Sequence, residues 1–215
     1  MVTPALRADA ERNRRLLVDA ARAVFRERGL AAPLDEIARR AGVGNATLYR
    51  RFPTRCALVA AVFADALRDV LAETEQALAN PDPWAAFADH LTFLFRLQAT
   101  DRALADLLTA RIHGAPDLEE LRGQAHDGLV RLIDAAQSAG ALREDFRHED
   151  VVVLLMANAG LLERTATTAP TAWQRHLGYL LDGLRTPTRS ANVPSPGEAA
   201  VVAAMADLGT RFGCS

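Results

Sequence analysis

Two short apolar runs separated by a turn with two glycines constrain the fold more than any other segment of the chain. In the first run, residues recur at intervals of three and four, which places them on one face of a helix. These residues are Leu34, Ile37, Ala38 and Ala41. Gly42 follows them, where glycine ends a helix in the left-handed conformation without steric cost. Asn45 is expected to cap a second helix, in which Leu48 and Phe52 face inward. The segment therefore predicts a helix-turn-helix.

The outward face of the second helix is expected to meet DNA. A major groove admits one α-helix, and in helix-turn-helix proteins the N-terminal residues of the second helix reach the base edges. The predicted base contacts are Asn45, Ala46 and Thr47. An asparagine can pair with adenine, and an alanine or threonine methyl can contact the thymine methyl. The predicted phosphate contacts are Tyr49, Arg50, Arg51 and Arg55. The alternative is that this helix is an ordinary basic surface helix.

The distribution of charge favours DNA more than the total charge does. The chain has a formal net charge of −2. Residues 1–55 nevertheless contain 12 arginines against 6 acidic residues, whereas the remainder contains 13 against 21. A basic segment joined to an acidic one is typical of a nucleic-acid-binding module attached to a part with another task.

The segment from Ala20 to Val62, and above all IARRAGVGNATLYRRF, resembles the N-terminal domain of the TetR/AcrR family of transcriptional repressors. The resemblance rests on Ile37-Ala38, Ala41-Gly42-Val43, Thr47-Leu48-Tyr49, Phe52 and Arg55. It covers roughly the first quarter of the chain. Two departures matter: Pro33 and Leu34 stand where many members carry a Ser or Thr cap, and Ala46 replaces a frequent glycine. Because Ala46 lies at a predicted base contact, the resemblance implies nothing about the operator sequence.

The rest of the chain also has helical periodicity, so the predicted fold class is all-α. A first helix is expected at 9–28, and a long fourth helix runs from a first turn at Pro53 to Asn80 and Pro81. Further helices are expected near 83–99, 101–110, 117–138, 147–167, 171–185 and 198–208. The predicted domains are a DNA-binding head at 1–54, a helical effector-binding and dimerisation body at 55–186, and a Pro/Ser-rich linker with a short tail at 187–215.

The helix expected at 83–99 is apolar on nearly every side, which indicates a central position in the body. The family resemblance implies that the body surrounds a cavity for a small-molecule effector. The candidate polar anchors are His90, Gln98, Arg111, His113, His126 and Asn158, and the candidate walls are Trp84, Phe87, Phe93 and Met156. The alternative is that these residues are ordinary core and surface. The five histidines show no metal-ligand spacing, and no cofactor is expected.

Residues 150–185 are expected to form a homodimer interface. Their apolar residues are too dense for one packing face, and Ala157, Ala159 and Gly160 would let helices approach closely. The resemblance implies a four-helix bundle between two copies, with two heads reading a near-palindromic operator. The competing explanation is that these residues form an intramolecular core.

The sequence favours a cytoplasmic protein without a disulfide framework. The most apolar stretch, 151–162, is too short to span a membrane, and no leader peptide opens the chain. Cys56 and Cys214 are far apart, and Cys56 is either a redox switch or a buried structural thiol.

The predicted function is a repressor that a small molecule releases from double-stranded operator DNA. The alternatives are an activator or nucleoid-associated protein and, from another class, a helical enzyme or an interaction adaptor. No catalytic motif supports an enzyme.

Overall fold

The computed structural model describes residues 4–186 and 194–213 and is built from α-helices. The described part of the chain contains α1 (Pro4–Arg28), α2 (Leu34–Arg40), α3 (Asn45–Arg51), α4 (Arg55–Leu78), α5 (Pro83–Thr100), α6 (Arg102–Thr109), α7 (Pro116–Ser138), α8 (His148–Thr165), α9 (Ala172–Leu184) and α10 (Glu198–Arg211). The all-α prediction is confirmed. Most of the predicted linker, residues 187–193, and Cys214 lie outside the described residues.

The first three helices pack around a core formed by Phe25, Leu30, Ile37 and Leu48, which are each at most 1% exposed. Two ion pairs hold α2 against α1. Both nitrogens of the Arg40 guanidinium terminus donate to the Glu27 carboxylate at 2.8 Å, and Arg28 lies 2.7 Å from Glu36. The hydrogen bonds from Arg40 lower the pKa of Glu27. α2 therefore has a fixed angle to α1, and this positions the turn that leads into α3.

The turn between α2 and α3 forms around Gly42 as the sequence predicts. Gly42 has a φ of +68°. The Val43 amide donates to the Ala38 carbonyl at 3.0 Å, and the Gly42 amide donates to the Arg39 carbonyl at 3.2 Å. This is the pair of bonds that closes a helix at a left-handed residue. One expectation is wrong: Gly44, not Asn45, occupies the N-cap, and no side chain caps α3.

α4 starts later than predicted, because Thr54 supplies its N-cap. The Thr54 hydroxyl accepts from the Ala57 amide at 3.1 Å, so Pro53 precedes the helix instead of opening its first turn. The first half of α4 is buried in the head, and its second half packs on α7 in the body. A side chain at Gly128 would meet the Thr74 methyl at 2.6 Å, so glycine at this position lets α7 approach α4 closely.

α5 is the central helix of the body, as its apolar pattern predicts. It contacts α4, α6, α7, α8 and α9. Phe87, Leu91 and Phe95 are at most 1% exposed, and the Phe87 ring meets Phe146 edge-on with 5.6 Å between centroids. In the described ranges, no helix is long and apolar enough to cross a membrane.

The predicted division at residue 54 does not coincide with a break in packing. The buried cluster of the head continues through α4 into α6, where Ala103 and Leu107 are completely buried. Phe212, at the end of the tail, also packs against this cluster. Head, body and tail therefore share one continuous apolar core at this end of the molecule.

Candidate DNA interface and effector cavity

The outer face of α3 carries six of the seven predicted DNA contacts. Asn45, Ala46, Arg50 and Arg51 are exposed, and Tyr49 is 53% exposed although it is a large aromatic residue. Leu48 is 1% exposed on the opposite side, where it holds the helix to the head. Thr47 is half-buried.

Two of these residues are linked to each other. The Arg50 guanidinium donates to the Thr47 hydroxyl at 3.0 Å. This bond holds the Arg50 side chain along α3 and occupies the Thr47 hydroxyl. The Thr47 methyl group remains the part of this side chain that could contact a base.

Arg55 is half-buried and hydrogen-bonds within the head, which gives it a structural role besides the predicted phosphate contact. Its guanidinium donates to the carbonyls of Leu30 and Ala32 at 2.8 and 2.7 Å. These carbonyls lie in the turn between α1 and α2. They have no amide donor from a helix there, so the Arg55 guanidinium supplies their hydrogen bonds. Arg55 therefore stabilises the α1–α2 turn of the head. From the sequence alone, an arginine at this position after the motif does not reveal whether it contacts the protein backbone or DNA.

A cavity of about 330 Å³ lies in the body between α4, α5, α6, α7, α8 and α10. Its apolar walls include Leu67, Val70, Leu94, Leu108, Leu129, Val151 and Leu155. Of the predicted ligand-binding residues, His90, Arg111 and His126 line it. Its volume is at the lower end of the range for small-molecule sites, and its mixture of apolar walls with a few polar groups is typical of them.

The polar groups of the cavity differ in how well they are satisfied. His90 is 2% exposed, and its Nδ1 lies 2.5 Å from the Glu73 carboxylate. Arg122 donates to the Leu107 carbonyl, and burial lowers the pKa of its guanidinium to about 10. At neutral pH this group remains charged. These residues therefore have internal partners whether or not a ligand is present.

His148 and Glu149, which were not predicted as site residues from the sequence, line the cavity at the beginning of α8. His148 Nδ1 lies 3.4 Å from Glu149 Oε2, and the His148 ring meets the His126 ring edge-on with 4.6 Å between centroids. Buried Nε2 of His148 and Oε2 of Glu149 have no hydrogen-bond partner among the described residues. A polar pair in the first turn of an otherwise apolar helix was the available sequence signal.

The remaining predicted ligand-binding residues do not line this cavity. Phe93 lines a second and more polar groove of about 480 Å³ between α4 and α5. Phe87 belongs to the core, and Trp84 packs beside it under the Arg185 guanidinium. His113 lies 4.0 Å from Glu119 on the surface. Phe87 and Trp84 are therefore packing residues of the core, and His113 is a surface residue.

Asn158 and Met156 are also placed away from the cavity. Asn158 is completely buried and donates to the Gln98 side-chain oxygen at 2.8 Å, while Gln98 donates to the Leu155 carbonyl at 3.2 Å. The pair thus forms a polar link between α5 and α8. Met156 is half-buried on another side of α8.

α10 was predicted as a helix but not as part of a site. Glu198, Val201, Val202 and Met205 line the cavity, and Val201 is 6% exposed. The Arg111 amide donates to the Met205 carbonyl at 2.9 Å, which attaches α10 to the loop before α7. At the other end of α10, the Gly213 carbonyl lies 4.0 Å from the buried Cys56 sulfur. α10 therefore spans from the cavity to the head.

The apolar residues of α8 and α9 divide between core and surface. Val151, Leu155, Trp173 and Leu177 are buried within the chain, so the intramolecular explanation is right for these positions. Other positions form an outer face that includes Val153, which is 43% exposed, and Tyr179, which is 61% exposed. Gly160, Gly178 and Gly183 have no described atoms near the place of a side chain.

An exposed basic recognition helix, joined to a helical body with a ligand-sized cavity, defines the class of DNA-binding regulators that carry their own sensor. Comparison with known families agrees. The model for bacterial regulatory proteins of the tetR family matches residues 17–62. The model for the C-terminal domain of SbtR-like transcriptional regulators matches residues 82–186. The chain belongs to the TetR family and is a ligand-responsive transcriptional regulator.

Individual relatives support this assignment. An uncharacterized HTH-type transcriptional regulator of Mycobacterium tuberculosis is 31% identical over 129 residues, which are 59% of this chain and 67% of that protein. A TetR transcriptional regulator from Streptomyces coelicolor is 32% identical with a TM-score of 0.51, and the match covers 81% of this chain and 99% of that one.

A more distant structure shares the fold alone. FadR from Bacillus subtilis, solved with stearoyl-CoA, is 16% identical with a TM-score of 0.62, and the match covers 81% of this chain and 99% of that one. α10 lies outside both segments that the family models match.

Proposed function

We propose that the protein is a homodimeric repressor that binds a near-palindromic operator and leaves it when a small molecule enters the body cavity. The observation that carries the proposal is the outer face of α3, where Tyr49, Arg50 and Arg51 are exposed next to Asn45 and Ala46. An exposed aromatic residue and two arginines on a seven-residue helix have no packing function in the head. They suit a phosphate backbone, and the N-terminal pair suits base edges.

The outer face of α8 and α9 supports the dimer. Val153 and Gly160 lie seven residues apart and therefore on one side of α8, and Tyr179 and Gly183 lie four apart on one side of α9. Small residues let helix axes approach, and exposed apolar residues gain free energy when a second copy covers them. A twofold dimer would present two α3 helices to successive half-sites.

The cavity supports release by an effector. A ligand can shift a conformational equilibrium only if it binds the two states with different affinity. The walls of the cavity come from α4 and α6, which continue into the core of the head, and from α10, so a ligand in the cavity would contact helices that position the head. A change in the packing of these helices would alter the position of α3. We favour repression over activation because release of a DNA-bound dimer needs no further partner.

Fluorescence anisotropy tests the proposal. It measures the affinity of the protein, at several salt concentrations, for the DNA upstream of its own coding sequence. Arg51→Ala should weaken binding to all sequences and lower the salt slope by about one, because one phosphate contact is lost. Arg131→Ala is the matched control, since Arg131 is equally exposed but lies on α7 beside Glu75. Asn45→Ala should change sequence preference instead.

Equal affinity and equal salt slope for wild type and Arg51→Ala would refute the assignment of α3. If the wild type binds no DNA at low salt, the interaction-adaptor alternative replaces the proposal. The enzyme alternative receives no support from the family, whose members are in general regulators. We place the protein in the cytoplasm, where its DNA target would be.

A further inference from the structure

The cavity contains a polar site whose atoms have no partner within the described chain. We propose that the effector is a small, mainly apolar molecule, neutral or cationic, whose hydrogen-bond donor group is bound by Glu149 and His148. This proposal rests on the proposed role of the cavity as the effector site. It adds the chemical class of the effector, which neither the fold nor the family determines.

Glu149 is the first part of the argument. The residue is 8% exposed, it lines the cavity, and its Oε2 accepts no hydrogen bond from the described residues. A buried carboxylate oxygen without a donor is unfavourable, and most such atoms in folded proteins are satisfied. A ligand donor at this position would remove the deficit.

His148 makes the required group more specific. Its Nδ1 lies 3.4 Å from the Glu149 carboxylate, which favours the tautomer with the proton on Nδ1. Nε2 is then an acceptor, and it is buried without a partner in the described part of the chain. Nε2 is therefore a free acceptor, and Glu149 Oε2, which has only the 3.4 Å contact with Nδ1, can accept a second donor. A hydroxyl or amino group complements them, whereas a carboxylate or ether does not.

The charges around the cavity point in the same direction. Four carboxylates line it, from Glu119, Asp127, Glu149 and Glu198, against the guanidinium groups of Arg111 and Arg122. Arg122 is already engaged by the Leu107 carbonyl. Glu119, Asp127 and Glu198 are exposed and therefore screened by water, whereas Glu149 is buried. The Glu149 carboxylate would repel an anionic ligand and would not repel a neutral or cationic one.

The volume sets the size of the ligand. About 330 Å³ is at the lower end of small-molecule cavities, so the site admits a ligand of one or two rings with short substituents. The apolar walls from Leu94, Leu129 and Val151 would hold the ring. The donor group would then extend toward the beginning of α8.

Four single-ring compounds of similar size test this class: benzylamine, benzyl alcohol, toluene and benzoate. Binding to the full-length protein is measured by calorimetry and by thermal shift. Benzylamine and benzyl alcohol are expected to bind, each at least about tenfold more tightly than toluene, because a buried polar site discriminates against analogues that leave it unpaired. Benzoate is expected not to bind. The difference between the amine and the alcohol shows whether the natural donor is cationic or neutral.

Two variants assign the effect to the site. Glu149→Leu should reduce affinity for both donor compounds to that of toluene. Glu149→Gln keeps an acceptor oxygen but removes the charge, so it should weaken benzylamine more than benzyl alcohol. Glu144→Gln is the control, because Glu144 is exposed in the loop before α8 and does not line the cavity. The far-ultraviolet circular dichroism of each variant, and its affinity for DNA, show that it is folded.

Three results would overturn the proposal. The first is tight binding of benzoate, which would assign the site to an arginine-anchored anion. The second is unchanged donor binding in folded Glu149→Leu and Glu149→Gln. The third is the absence of binding by all four compounds. Failure of the proposed function is a separate result, since it appears as absent DNA binding by the wild type in the anisotropy assay.

Discussion

A single hydrogen bond between α6 and the head offers a quantitative test of how the two parts are joined. Asp106 Oδ2 accepts from the Leu30 amide at 2.8 Å across 76 residues of sequence. Leu30 is completely buried, directly after the left-handed Gly29 that ends α1. Asp106→Ala removes the acceptor and leaves this amide without a partner, whereas Asp106→Asn keeps an oxygen at the same place.

The magnitude follows from these contacts. An amide that loses its partner inside a protein costs about 1–3 kcal/mol. Each kcal/mol lowers the melting temperature of a protein of this size by roughly 2–4 °C. Asp106→Ala is therefore expected to melt about 2–12 °C below Asp106→Asn. Asp69→Ala, an exposed acidic residue on α4, should change stability by less than about 0.5 kcal/mol.

The pH dependence has a definite sign. Burial raises the pKa of Asp106 above its ordinary value, and this outweighs the hydrogen bond from Leu30, which lowers it. The folded state therefore holds the proton more tightly than the unfolded state does. The contribution of this carboxyl to stability is complete below its unfolded pKa and is lost as the pH rises through the raised folded value. Asp106→Asn should gain stability relative to the wild type over that interval and keep a constant difference above it.

The assay is equilibrium unfolding in urea at fixed protein concentration, with circular dichroism as the signal and pH values from 3 to 8. Fixed concentration is needed because a dimer is stabilised by mass action. Equal midpoints for Asp106→Ala and Asp106→Asn at pH 7 would refute the argument that the Leu30 bond stabilises the fold. A constant difference between Asp106→Asn and wild type at every pH would refute the argument from burial.

Three further predictions concern other contacts. Arg55→Ala should lower the free energy of unfolding by about 1–3 kcal/mol in the same assay, because it leaves two carbonyls of the α1–α2 turn unpaired. It should leave the salt slope of DNA binding unchanged, and a reduced slope would show that Arg55 contacts a phosphate as predicted. Tyr179→Asp should convert the proposed dimer to a monomer in size-exclusion chromatography with light scattering, and Gln124→Asp on α7 should not. Val201→Asp should detach α10, which hydrogen exchange would report as faster exchange over residues 198–211, with exposed Ala204→Asp as the unchanged control.

The helices could be predicted closely because the signals that begin and end them are local. Pro116 and Pro83 lie in first turns, and Gly29, Gly42 and Gly140 all have positive φ at helix ends. Each signal acts within a few residues of its own position. The recognition helix was predictable for the same reason, since one apolar face of two short helices determines which side chains remain outside.

The cavity was less predictable, since a helix that is apolar on every side does not reveal which side meets empty space. Phe87 and His90 both lie on α5, yet only His90 lines the cavity. The difference depends on Phe146, which reaches Phe87 from a loop 59 residues away. His148, Glu149 and the residues of α10 enter the site through packing of the same long range. Sequence periodicity contains no information about such distances.

The contacts between head and body converge on one turn, and this explains how the cavity and α3 can be coupled. Asp106 binds the Leu30 amide, and Arg55 binds the carbonyls of Leu30 and Ala32. Leu108 lines the cavity two residues beyond Asp106 on α6. After α10, whose Val201 lines the cavity, the Gly213 carbonyl lies 4.0 Å from the sulfur of Cys56, the residue next to Arg55. Because α2 follows this turn directly and is packed against α3, a displacement of α6 or α10 by a bound ligand would reach the recognition helix through residues 29–32. The same turn therefore contributes to the stability of the head and, in the proposed mechanism, would connect the cavity to α3.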